Sequence, residues 1–152
     1  MTSIRGYNQT PDITVQDRRA PVSSETVSAC VLVVEDHADT RSLIRTYLEM
    51  CGVSVIEAEN GEMAIALAKN VHVDLILMDA ELPLLDGYAA TRRIRELTSA
   101  REVPIIFMSG HAQPAAEAKA LAAGGNEYIV KPFALVELDG VLERYLAQAK
   151  GN

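Results

Sequence analysis

The sequence has no tryptophan, only two phenylalanines and two cysteines, and its 14 cationic residues include just four lysines. With so few cysteines, and none at metal-ligand spacing, neither a disulfide scaffold nor a zinc cluster is expected. Cys30 and Cys51 read as buried or half-buried thiols in a protein of the reducing cytoplasm. Positive charge is also short, since 14 Lys and Arg face 21 Asp and Glu for a net charge of −7. A nucleic-acid footprint needs clustered cations to neutralise phosphates, so direct nucleic acid binding is not expected. No apolar run approaches the ~18 residues of a membrane helix, and Met1 to Thr10 hold no continuous apolar stretch of the kind a secretory signal requires. What the chain does have is 49% hydrophobic and 23% charged residues over 152 positions, enough for one packed soluble domain.

Residues 1–28 stand apart. They hold eight Ser or Thr and two of the six prolines, and Arg5, Arg18 and Arg19 cancel Asp12, Asp17 and Glu25. Without a sustained period of 2 or 3.6 they read as a flexible tail. From Ala29 the pattern is regular. Apolar runs at Val31 to Val34, Val53 to Ile56, Leu75 to Met78, Ile105 to Met108 and Tyr128 to Val130 alternate with helical stretches. One helical face gathers Leu43, Ile44, Tyr47, Leu48 and Cys51, another Ala64, Leu67, Ala68 and Val71, and the last Leu135, Leu138, Leu142, Tyr145 and Leu146. Near-continuous strand hydrophobicity means burial on both faces. Residues 29–149 are therefore expected to form a five-unit α/β domain with a parallel sheet, leaving only residues 150–152 after the last helix and no output domain. Asn60-Gly61, Asp86-Gly87 and Gly124-Gly125 mark turns, and Pro114 can open a helix.

In such a sheet, ligands bind beyond the carboxyl ends of the strands. The first strand runs into Glu35 and Asp36, the third into Asp79, the fourth into Ser109 and the fifth into Lys131. Each residue alone is an ordinary turn former or cap. Together they are not, because carboxylates ~4 Å apart repel by about 4 kcal/mol at an effective dielectric near 20, a cost that folding gives no reason to incur. An oxygen-rich site of this kind suits Mg²⁺, and a carboxylate beside it can attack a phosphoryl donor while Lys131 and Ser109 meet the phosphoryl oxygens.

These residues lie in recognisable stretches: Val33-Val34-Glu35-Asp36, Met78-Asp79 followed by Pro83 and Asp86-Gly87-Tyr88, Met108-Ser109-Gly110, and Tyr128-Ile129-Val130-Lys131-Pro132-Phe133. Residues 29–149 thus resemble the receiver domain of bacterial two-component response regulators, of the stand-alone type. The resemblance implies a doubly wound, flavodoxin-like (βα)5 fold with strand order 2-1-3-4-5. It implies that Asp79 is the phospho-acceptor, supplied by a sensor histidine kinase or a histidine phosphotransfer protein. Asp36 would be a direct Mg²⁺ ligand, Glu35 a ligand directly or through water, and Asp79 and the backbone carbonyl of Glu81 further ligands. Lys131 would contact Asp79 and the phosphoryl group, with a cis bond to Pro132. Ser109 and Tyr128 would form the switch, changing the surface of the fourth helix, fifth strand and fifth helix that an effector protein reads. Such a domain is a phospho-acceptor module rather than an enzyme.

Two features bear on how long the aspartyl phosphate lasts. Glu81 adds a fourth carboxylate, and His111 follows Ser109 by two, both at positions that tune hydrolysis in this family. His37 reads as the start of the first helix, facing solvent, and His72 as a helix-end residue without chemistry. An aspartyl-intermediate phosphohydrolase is the enzymatic alternative. Asp79-Ala80-Glu81-Leu82 lacks the second Asp that such enzymes carry, and the chain has no insertion to enclose a substrate. A receiver-shaped scaffold indifferent to phosphate is the third reading, and it would have been favoured by a missing acid or lysine.

Overall fold

The computed structural model describes residues 28–151, so all but the last residue of the expected tail, and the final Asn152, lie outside the described residues. Five strands alternate with five helices: β1 (Cys30–Val34), α1 (Ala38–Met50), β2 (Ser54–Ala58), α2 (Gly61–Asn70), β3 (Leu75–Asp79), α3 (Gly87–Arg95), β4 (Ile105–Ser109), α4 (Pro114–Ala123), β5 (Glu127–Val130) and α5 (Glu137–Gly151). The strands pair in parallel in the order β2-β1-β3-β4-β5. This is the flavodoxin-like order expected above.

Alternation along the buried strands sends side chains to two apolar layers. Leu32, Val34, Ile76, Met78, Ile105 and Phe107 meet α2, α3 and α4 on one face of the sheet. Val31, Val33, Leu75, Leu77, Ile106 and Met108 meet α1 and α5 on the other. With both faces covered, the chemistry is left to the strand ends.

Local signals set the helix boundaries. Asn60 caps α2 by accepting from Met63 N at 2.8 Å, and Asp86 caps α3 by accepting from Ala89 N at 2.8 Å. Each expected turn at these positions is thus a helix start. Pro114 opens α4, and Gly124 closes it at φ 115°, a left-handed conformation suited to glycine.

Two expectations about burial are corrected. On α1, Ile44 and Leu48 are buried but Leu43 and Cys51 are exposed, because Leu43 lies at the edge of the stripe and the helix ends at Met50 before the chain turns at Gly52. Cys30 is half-buried, and both thiols are free. On α2, Ala64 and Ala68 are buried whereas Val71, one residue past the helix, is exposed. No helix among the described residues is long and apolar enough to cross a membrane.

Candidate functional site

The sheet carries its ladder one residue past the apolar strands, and this delivers the polar groups to one rim. Glu35 N donates to Ala58 O (3.0 Å), Ala80 N to Met108 O (2.9 Å) and Lys131 N to Ser109 O (2.7 Å). The sequence-expected residues of β1, β3, β4 and β5 therefore converge although roughly a hundred positions separate them. Glu35, Asp79 and Ser109 are buried at this rim, Asp79 with 2% of its surface exposed.

Lys131 ties the acids together. Its Nζ lies 2.9 Å from Glu35 Oε1 and 3.2 Å from Asp79 Oδ2. Asp79 Oδ1 accepts from Glu81 N at 3.0 Å. The start of α3 also packs closely against the backbone of Asp79. Gly87 N donates to Ala80 O at 3.0 Å, and a Cβ on Gly87 would collide with the carbonyl oxygen of Asp79, so only glycine fits there.

The two central acids differ in their electrostatics. Burial, and then the neighbouring charge of Glu35, raises the pKa of Asp79 to about 6 despite Lys131. Burial opposes ionisation of Glu35 too, but hydrogen bonds from Lys131 and His37 together outweigh it and hold its pKa below the usual value. Burial opposes the charge of Lys131, and its two carboxylate partners override that and raise its pKa. One lysine thus offsets only part of the negative charge.

An oxygen atom is left over. Asp36 Oδ1 is buried without a hydrogen-bond partner, and the ligand atoms of Glu35, Asp36 and His37 lie within 4.8 Å of one another. An orphaned carboxylate oxygen beside a second carboxylate fits a hard, oxygen-seeking cation such as Mg²⁺. Asp36 and Glu81 also line a cleft of about 690 Å³ with Asp86, Tyr88, His111 and Lys119.

Three arrangements were not legible in the sequence. His37 precedes α1 and is exposed as expected, yet its Nδ1 lies 2.9 Å from Glu35 Oε2 and 3.3 Å from Asp36 Oδ1. Arg41 reaches back to donate to Glu35 O (2.8 Å) while its Nε meets Glu57 Oε1 (2.8 Å), fixing the end of β1. Thirdly, Ser109 Oγ donates to Glu81 Oε2 at 2.7 Å. Tyr128, half-buried, donates from its hydroxyl to His111 O at 2.5 Å. The Lys131–Pro132 bond is cis.

Comparison with known proteins decides the family. The family model "Response regulator receiver domain" matches residues 31–143. This chain belongs to the response regulator receiver family. Among other receivers, it is 37% identical to that of a sensor histidine kinase from Pseudomonas aeruginosa PAO1, whose crystal structure has a magnesium ion coordinated in the active site cleft. That likeness covers 80% of this chain and 99% of the other at a TM-score of 0.74. The chemotaxis protein CheY4 of Vibrio cholerae is 27% identical with a TM-score of 0.75, over 78% of this chain and 99% of its own. Of the curated relatives, the transcriptional regulatory protein ResD of Bacillus subtilis is 42% identical over 103 residues, 68% of this receiver but 42% of ResD. The receiver spans about half or less of the curated relatives it matches.

Proposed function

We propose that this receiver takes a phosphoryl group on Asp79, from a phosphohistidine of a sensor histidine kinase or a histidine phosphotransfer protein, and changes its binding surface as a result. One observation carries the reading: a buried aspartate at a strand end, 3.2 Å from the lysine that also holds Glu35, beside an acid with an unsatisfied buried oxygen. Folding alone does not account for that set.

In the proposed reaction an Asp79 carboxylate oxygen attacks phosphorus, the O–P bond forms, the N–P bond of the donor breaks, and the imidazole leaves and takes a proton. Lys131, already at Asp79 Oδ2, meets the negative charge of the transferring group. Asp36, Glu35, Asp79 and the backbone carbonyl of Glu81 would hold Mg²⁺. When bound, the ion neutralises carboxylate and phosphoryl charge. The Glu81 amide holds the Asp79 carboxylate oriented, while Gly87 packs against the backbone of the same residue. Ser109 would then donate its hydroxyl to a phosphoryl oxygen, and Tyr128 would follow by leaving its bond to His111 O. The surface of α4, β5 and α5 would carry the change to an effector protein. We place this exchange in the cytoplasm, where free thiols such as Cys30 and Cys51 persist. The protein serves as a phospho-acceptor rather than as a turnover enzyme.

Incubation with Mg²⁺ and a small acyl phosphate tests the assignment. One phosphoryl group per wild-type chain and none on Asp79→Asn, read by intact mass, is the expected result. Equal incorporation in the variant refutes it, and sustained release of phosphate from simple esters would point instead to a hydrolase.

A further inference from the structure

The hydroxyl of Ser109 has one proton, and that proton is already committed. It goes to Glu81 Oε2 at 2.7 Å, while the oxygen accepts from His111 N at 3.1 Å. The other carboxylate oxygen of Glu81 faces Gly110 N at 3.4 Å, and His111 Nε2 stands 3.8 Å from Oε2. His111 in turn offers its carbonyl to the Tyr128 hydroxyl. One carboxylate therefore holds the β4–α4 loop, the buried hydroxyl at the end of β4 and, through His111, the ring on β5. Its own backbone amide meanwhile donates to Asp79 Oδ1.

We propose that the Glu81 side chain is a latch that competes with the phosphoryl group for the Ser109 hydroxyl and so holds the receiver in its unphosphorylated arrangement. The inference rests on Asp79 being the phospho-acceptor. A charged acceptor at 2.7 Å makes a hydrogen bond stronger than a neutral one. A phosphoryl group on Asp79 captures the hydroxyl only by breaking that bond, and it does so beside a fixed negative charge. Glu81 is thus a positioning residue acting through Ser109. Loss of the latch favours the phosphorylated form and frees Gly110, His111 and Tyr128 together.

The Glu81 side chain is 45% exposed, so its replacement leaves the packed layers intact. The experiment compares the full chain as wild type, Glu81→Ala, Glu81→Gln, Ser109→Ala and the Glu81→Ala/Ser109→Ala double variant. At saturating Mg²⁺ and a limiting acyl phosphate donor, the ratio of phosphorylated to unphosphorylated chain is measured by intact mass at steady state. The latch predicts a rise of about tenfold in Glu81→Ala and a smaller rise in Glu81→Gln, which keeps an acceptor oxygen without the charge. In the Ser109→Ala background the Glu81→Ala effect vanishes. Without donor, the Gly110 and His111 amide resonances of Glu81→Ala move toward those of phosphorylated wild type. An unchanged ratio in Glu81→Ala, or an equal rise without Ser109, overturns the latch while the acceptor reading stands. A wild type that takes no more phosphate than Asp79→Asn removes the acceptor reading itself.

Discussion

Chelation of divalent cations is expected to slow phosphoryl transfer to Asp79 by about a hundredfold or more. The carboxylates of Glu35, Asp36, Asp79 and Glu81 stand at this rim, and the incoming phosphoryl group brings further negative charge of its own. At ~5 Å and an effective dielectric near 20, each like-charged pair costs about 3 kcal/mol, and a barrier raised by that much slows a reaction by about two orders of magnitude. Among the described residues Lys131 is the one Lys or Arg side chain bonded to these carboxylates, and it is shared between Glu35 and Asp79. The measurement is the initial rate of incorporation from an acyl phosphate in EDTA and after Mg²⁺ is restored. Asp36→Asn, which removes the charge behind the orphaned oxygen, is expected to require much higher Mg²⁺ for the same rate. A rate indifferent to EDTA would mean that the acids are not balanced by a metal.

The second large effect concerns stability. Burial and Glu35 raise the Asp79 pKa to about 6, whereas an aspartate in the unfolded chain titrates near 3.9. Between roughly pH 4 and pH 6 the unfolded chain has therefore released a proton that the folded chain still holds, so stability falls as pH rises through that window. The whole penalty is present above pH 6 and absent below pH 4. Asp79→Asn never carries it. In metal-free buffer at pH 7 the variant is expected to be more stable than wild type by about 2 kcal/mol, with the advantage fading as the pH drops to 4. Saturating Mg²⁺ should close the gap, because the ion binds the folded wild type more tightly than the variant. Urea unfolding at several pH values checks both statements. A variant less stable than wild type at pH 7 would show that Asp79 is held at its site favourably without a metal.

How far the sequence could be read follows from what determines each feature. The strands were legible because buried parallel strands must be apolar on both faces, so that Val31 to Val34 and Ile105 to Met108 stand out whatever surrounds them. The polar residue ending each run was legible for the same reason, since it marks where burial stops. That placed Glu35, Asp36, Asp79, Ser109 and Lys131 on one rim. Helix edges were less clear. Leu43 and Cys51 fit the periodicity of α1 but are exposed, because a stripe has margins and a helix has an end.

The hydrogen-bond partners within the site were not legible at all. The bend of the Glu81 carboxylate toward Ser109, the closeness of the His37 ring to Glu35 and the return of Arg41 to the Glu35 carbonyl depend on rotamers of long side chains in three dimensions. No spacing encodes them. The same reason explains why Ser109 could be named as a switch residue while its present partner could not. The identity of a group follows from sequence, but its proton goes to whichever acceptor the fold brings nearest.

The most direct test is chemical location of the phosphoryl group. After phosphorylation with Mg²⁺ and an acyl phosphate, borohydride reduction converts an aspartyl phosphate to homoserine, which peptide mass spectrometry can place. Homoserine at position 79 alone is the result expected here, and its appearance at any other position, or at none after demonstrated incorporation, would contradict the account.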